Sequence, residues 1–203
     1  MPTKTSDPVS ALKKQGFDVQ YLSHAKSILT GEFAPQLKEL AGVLAELSFP
    51  ITEIIGSGGG ETRFTQRARN ALSKLGWKKH NFVVAKIIDG VQKEATSHEV
   101  DHVRTVPLIG TIGCEIEWNN KDPFFDRDLN NFRLLFDLRA VSVGVIVTRC
   151  DELQGIFDGL GRGKSFGSST THMSRLLPRI EGGGGGGCPI LVLGIRRSLY
   201  VDE

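Results

Sequence analysis

The sequence predicts an α/β fold, a mixed central β-sheet flanked by α-helices, in a single domain spanning residues 1–203. Two observations predict it. Short apolar or alternating runs bounded by turn residues read as strands, and they interleave with longer stretches whose apolar residues recur at spacings of three and four. A chain of 203 residues is long enough to bury one full core. Its 39% hydrophobic and 24% charged residues are those of an ordinary globular protein and exclude a disordered chain.

Residues 1–20 read as a polar, flexible lead-in. From Tyr21 to Leu47, Ile28, Leu29, Leu37, Leu40, Val43, Leu44 and Leu47 follow a helical period. Pro35 is a break or first-turn residue, so this is one or two amphipathic helices, stopped at Pro50. Gly56 to Gly60 form a flexible loop. A helix follows, capped by Thr62 or Thr65 and running to about Leu75, with Gly76 as its C′ residue. Phe82–Ile88 is a strand, Asp89-Gly90 a hairpin turn, His98–Val106 a second strand and Gly113–Trp118 a third. Phe125, Leu129, Phe132 and Phe136 place a helix over 124–136, with Asp122, Asp126 and Asp128 near its N-terminal end. Val141–Thr148, the most apolar strand, belongs at the sheet centre. Gly161–Thr171 reads as a mobile loop, and Ile190–Leu193 as a last buried strand. The run Gly182–Gly187 reads as a flexible connector, because glycines lose the most chain entropy on ordering.

Charge and cysteine usage narrow the setting. A net charge of +2 is too small to argue for nucleic acid by itself, but Arg162, Lys164, Arg175 and Arg179 fall together in a Gly- and Ser-rich region. Cys114, Cys150 and Cys188 are odd in number and set in apolar sequence. They read as buried reduced thiols of a cytoplasmic protein. No window reaches the roughly 18 apolar residues of a membrane span, and the N-terminus lacks a signal-peptide core.

The chemistry concentrates in Gly113–Asn120. In a strand Glu115 and Glu117 share one face, with Cys114, Ile116 and Trp118 on the other. Two neighbouring carboxylates repel unless a proton or a cation lies between them. With Asp101 in the preceding strand, three carboxylates converge, and their simplest use is to hold a hard divalent cation such as Mg²⁺.

Asp101, then Glu115-Ile116-Glu117 at a strand end, then an amphipathic helix and an apolar strand, resembles the core of the PD-(D/E)xK nuclease superfamily. Within it the chain is similar to the BamHI, BglII and BstYI group of type II restriction endonucleases. Tyr21-Leu22-Ser23-His24, Leu75-Gly76-Trp77 and Cys188-Pro189-Ile190-Leu191-Val192-Leu193-Gly194-Ile195 carry that likeness over about residues 21–195. Two positions depart from the pattern. Val100 stands where the superfamily has proline, and Glu117 where most members have lysine; glutamate is the BamHI form, glutamine that of BglII and BstYI.

The resemblance implies a restriction-endonuclease-like sheet and hydrolysis of double-stranded DNA at a short palindromic site by a homodimer, without a nucleotide cofactor. A GATC centre is the site the relatives favour. Asp101, Glu115 and the carbonyl of Ile116 would bind Mg²⁺, while Glu117 would orient or deprotonate water or complete a second metal site. Glu61 is a further catalytic candidate, although an acid near a helix start also suits the dipole. Asn119, Asn120, Lys121 and Asp122 are placed to read base edges or to make a turn. Arg133 lies on a frequent dimer helix of the group and is a DNA-contact candidate. Ser168, Ser169, Thr170 and Thr171 match a base-contacting loop, and Lys164 with Arg162 suits phosphates. A nonspecific nuclease of the same fold and an inactive DNA-binding module are the competing readings.

Gly161-Arg162-Gly163-Lys164-Ser165 imitates a phosphate-binding loop, but Asp158 stands where that motif needs glycine. His98 and His102 lack the further His or Cys at tight spacing that a zinc site requires.

Overall fold

A computed structural model describes residues 8–56 and 60–202. Its elements begin with α1 (Pro8–Gln15), β1 (Phe17–Leu22), α2 (Ala25–Thr30), α3 (Ala34–Ala45), β2 (Phe49–Pro50), α4 (Ile51–Ile55) and α5 (Arg63–Lys74). The hairpin β3 (Lys78–Ile88) and β4 (Val91–Val106) leads into β5 (Gly110–Glu117), α6 (Phe124–Asp137) and β6 (Val143–Arg149). Then come α7 (Gln154–Gly159), α8 (Met173–Glu181), β7 (Ile190–Ile195) and β8 (Tyr200–Val201).

Six strands form one mixed sheet in the order β1-β7-β6-β5-β4-β3, with β5, β6 and β7 mutually parallel. As its composition requires, β6 is interior and buried at all seven residues. One sheet face packs against α1 to α5 and α7 through Ile112, Cys114, Ile116, Trp118, Val143, Val145 and Val147. The other packs against α6 and α8 through Val100, Val103, Ile146, Ile190 and Val192. All three cysteines are free and buried. Among the described residues, no helix is long and apolar enough to cross a membrane.

Three expectations are corrected. The described part of the lead-in is ordered: α1 buries Val9 and Leu12, and β1 pairs antiparallel with β7 from Phe17↔Ile195 to Leu22↔Ile190. Tyr21 therefore lies in a strand. The signal was too short to read, two apolar residues three apart followed by Phe17, Val19 and Tyr21 at period two. Residues 1–7 and 57–59, part of the lead-in and of the Gly56–Gly60 loop, lie outside the described residues.

The second correction concerns β4, which starts at Val91 and not His98, making an arm with β3 around Asp89 (φ 51°) and Gly90 (φ 77°). Both turn residues are left-handed, as a type I′ hairpin demands. Both strands of the arm are largely exposed, so its sequence carries no burial pattern.

Third, Gly182–Gly187 is a packed, hydrogen-bonded turn. Gly182 and Gly184 donate to the Pro178 and Arg179 carbonyls at 2.9 and 2.8 Å. A Cβ on Gly185 would lie 2.6 Å from Ile190 Cδ1, and one on Gly186 2.8 Å from Arg133 Cγ. These glycines are needed for close approach, and this contact energy offsets their entropy loss.

Candidate active site

Glu115 and Glu117 leave β5 toward α6, and both are almost fully buried, at 1% and 2% exposure. There they meet Asp128 of α6, at 0% exposure; one ligand oxygen from each of the three lies within 4.8 Å of the others. Asp128 is the residue that sequence reasoning passed over, because acids at a helix start are ordinarily dipole partners. A usable signal existed: it follows Phe125 by three and precedes Phe132 by four, which puts it on the buried stripe.

The cluster is short of positive charge. Arg127 is the basic group in contact, with Nη2 2.7 Å from Asp128 Oδ1 and 3.3 Å from Glu117 Oε1. Its guanidinium also lies 4.5 Å over the Phe124 ring. Burial, then Asp128, pushes the Glu115 carboxyl well above the usual carboxylate range. The same causes push Glu117 up to about 8, and burial raises Asp128 despite Arg127. Asp128 Oδ2 is buried without a hydrogen-bond donor among the described residues. A proton held within the trio, or a cation, would satisfy it.

Asp101 reaches the site by a different device. Between Lys78↔Val103 and His80↔Val100, one residue of β3, Lys79, opposes two of β4, so β4 bulges at Asp101 and His102. The bulge leaves the Asp101 carboxylate 47% exposed, 3.6 Å from Lys79 Nζ, while its backbone N–H donates to Glu115 Oε2 at 3.4 Å. Asp101 is thus beside the tight trio and not a member of it. The β4–β5 ladder also stops at His102↔Cys114, leaving Glu115, Ile116 and Glu117 without β4 partners. That opens the strand edge to a cavity of about 360 Å³, lined by Glu61, Thr62, Thr65, Asp101, Ile116, Trp118, Asn119, Asn120 and Arg162. Glu61, Asp101 and Ile116 therefore share one cavity. Glu61 is held across it by Arg69, with both bonds at 3.0 Å, and Thr62 caps α5 by accepting from Thr65 N–H.

The segments expected to touch DNA are zipped together. Thr171 N–H donates to Asn120 O at 2.9 Å, Asp122 N–H to Ser169 O at 3.0 Å, and Lys121 bridges Thr170. The 161–171 stretch lacks regular structure, yet Phe166 and Thr171 are fully buried, so it is anchored where a mobile loop was expected. Ser168, Ser169, Lys121 and Lys164 are exposed. Thr170 and Thr171 are buried, with Thr170 Oγ1 donating to Gly167 O and Thr171 Oγ1 accepting from Asn120 N–H. Asp122 pairs with Arg179 at 3.3 Å. Asn119 Oδ1 is buried on the cavity wall without a partner among the described residues. Arg133 is elsewhere, exposed and close against Gly186.

The model of one protein family, the restriction endonuclease BglII/BglIII family, matches residues 17–195 of the chain. The chain belongs to that family. It is a type II restriction endonuclease, a hydrolase acting on DNA at specific sites. No curated protein matches the sequence. For a restriction endonuclease, a cluster of three buried acids against one arginine makes chemical sense as the seat of a divalent cation. The donor set fits: all ligands are hard oxygens, and one buried carboxylate oxygen lacks any other partner among the described residues.

Proposed function

We propose that the endonuclease is Mg²⁺-dependent and cuts double-stranded DNA at a short palindrome, read by a two-fold symmetric homodimer. The observation that carries the metal reading is the buried trio Glu115, Glu117 and Asp128 beside Asp101 at an open strand edge. The likeness to the BamHI, BglII and BstYI group supports a six-base site with a GATC centre.

Asp101, Glu115 and the Ile116 carbonyl are the residues that would hold Mg²⁺; Glu61 lies on the cavity that Asp101 and Ile116 line, and Asp128 meets Glu115 in the buried trio. Bound there, Mg²⁺ supplies charge neutralisation at the scissile phosphate and the leaving 3′-oxygen. The chain's own groups do the rest. Glu117 orients the attacking water and accepts its proton, once it has shed the proton that burial favours. The Asp101 amide holds Glu115 Oε2, and Arg127 damps repulsion within the cluster. Asn119, Lys121, Ser168 and Ser169 offer base-edge contacts, and Lys164 and Arg162 phosphate contacts.

The test is digestion of a long duplex with Mg²⁺ or with EDTA, followed by sequencing of the ends. Discrete Mg²⁺-dependent fragments with palindromic ends are expected, and Glu115→Ala should abolish them while keeping the circular dichroism spectrum. Equal cleavage in EDTA, or full activity of Glu115→Ala, would overturn the site.

A further inference from the structure

We infer that Asn120 is the positioning residue for Glu117, locking that carboxylate to the 166–172 loop so that loop order and carboxylate orientation are a single event. This rests on the catalytic reading of Glu117. The side-chain amide of Asn120 donates to Glu117 Oε2 at 2.6 Å, while the other oxygen, Oε1, faces Arg127. Glu117 is therefore held at both oxygens, once from α6 and once from the segment after β5.

Asn120 is itself an exposed residue, so packing does not force this orientation. Its backbone does. The N–H donates to Thr171 Oγ1 at 3.2 Å and the carbonyl accepts from Thr171 N–H at 2.9 Å. One residue earlier, Thr170 Oγ1 accepts from Arg149 Nη2 at 2.9 Å, and the same Nη2 donates to Phe166 O at 2.8 Å. Arg149 is 1% exposed, lies 5.3 Å from the Phe157 ring and, among the described residues, has no carboxylate in contact. A buried guanidinium held by loop carbonyl and hydroxyl oxygens is a rigid anchor, since moving it strands a charge in the core. The connected route runs from Arg149 through Thr170 and Thr171 to Asn120, and ends on Glu117.

An asparagine can also read an adenine edge with the same amide. In this arrangement its N–H₂ is already committed to a buried carboxylate, where a charge-assisted bond is strong. A proton acceptor in hydrolysis works only within a narrow angular range, so losing this bond should slow cleavage without weakening DNA binding.

The experiment uses the full chain and three variants, Asn120→Ala, Thr171→Val and Glu117→Gln. It measures the single-turnover cleavage rate at saturating protein, the affinity for the cognate duplex in EDTA, and the fragment pattern. Asn120→Ala should lose roughly 10- to 100-fold in rate, the worth of one hydrogen bond to a charged group. Its affinity should stay within about twofold and its fragments unchanged, because no base contact is lost. Thr171→Val, nearly isosteric, should lose rate in the same way but less. A drop in affinity with relaxed fragments for Asn120→Ala would make it a base reader and overturn the inference. An unchanged rate would overturn it too. Full activity of Glu117→Gln would instead overturn the reading of Glu117 itself, and the two failures are told apart by which variant stays active.

Discussion

On one face of β5, Cys114, Ile116 and Trp118 sit at 0%, 7% and 4% exposure; on the other, Glu115 and Glu117 sit at 1% and 2%. Equal burial hides opposite energetics. The first face meets an aromatic stack, with Trp118 4.3 Å from Phe49 and 5.4 Å from Phe64, and releases water from apolar surface. The second takes three carboxylates out of water against one arginine, which opposes folding. The apolar face stabilises the strand, and the acidic face draws on that stability to hold a charge deficit that a cation can fill.

The largest effect should come from breaking the apolar face. Trp118→Ala should cost about 3–5 kcal/mol of stability, read from the urea midpoint of the metal-free protein. A loss below 1 kcal/mol, on the order of a surface change, would show that the stack does not carry the strand.

The acidic face should reveal itself through pH. The Glu117 carboxyl is raised in the folded state from 4.5 to about 8, so the folded protein holds its proton more tightly than the unfolded chain. Its contribution is thus greatest at low pH and is lost as pH rises from about 4.5 to about 8. Glu115 and Asp128 shift in the same direction. In EDTA, the thermal midpoint should fall by several degrees across that window, on top of any general acid effect, and Mg²⁺ should restore more at the alkaline end. A Mg²⁺ effect that is equal at both ends would mean that the acids do not bind it.

A smaller effect sharpens the comparison by moving α6 alone. The Phe132 ring sits so close to the sheet that a Cβ on Gly144 would fall 2.6 Å from Phe132 Cδ2. Gly144→Ala should cost about 1–3 kcal/mol through overpacking. Because α6 carries Asp128 and Arg127, the variant should also lose part of the Mg²⁺-induced rise in melting temperature. An unaltered rise would show that the position of Asp128 does not matter to Mg²⁺ binding.

Much of this was legible in the residues. The hairpin dipeptide Asp89-Gly90, the Phe125 to Phe136 spacing and the Glu115/Glu117 alternation each signal local geometry directly, and each matches the structure. What was not legible depends on distant partners. Asp128 looks like a dipole acid until α6 is laid on β5. The commitment of Thr170 and Thr171 to the scaffold depends on Arg149, some twenty residues away, and the glycine run looks flexible until Ile190 and Arg133 fill the space beside it. The acid pair was visible as a charge pattern and the burial of Asp128 as a spacing; that Asp128 joins the pair, and that Asn120 holds it, were visible only as contacts.

The bulge in β4 has a consequence of a different kind, one of counting. Side chains on a strand alternate, so the way a residue faces is fixed by the parity of its distance from the point where pairing begins. At Asp101 and His102 that parity is reset. The exposed arm beyond can be lengthened or trimmed in matched pairs, changing its reach, while Asp101 keeps its outlook on the cavity. A single residue added between His102 and Val106, where the β5 ladder runs, would instead turn Asp101 away with every ligand-type residue still present in the sequence.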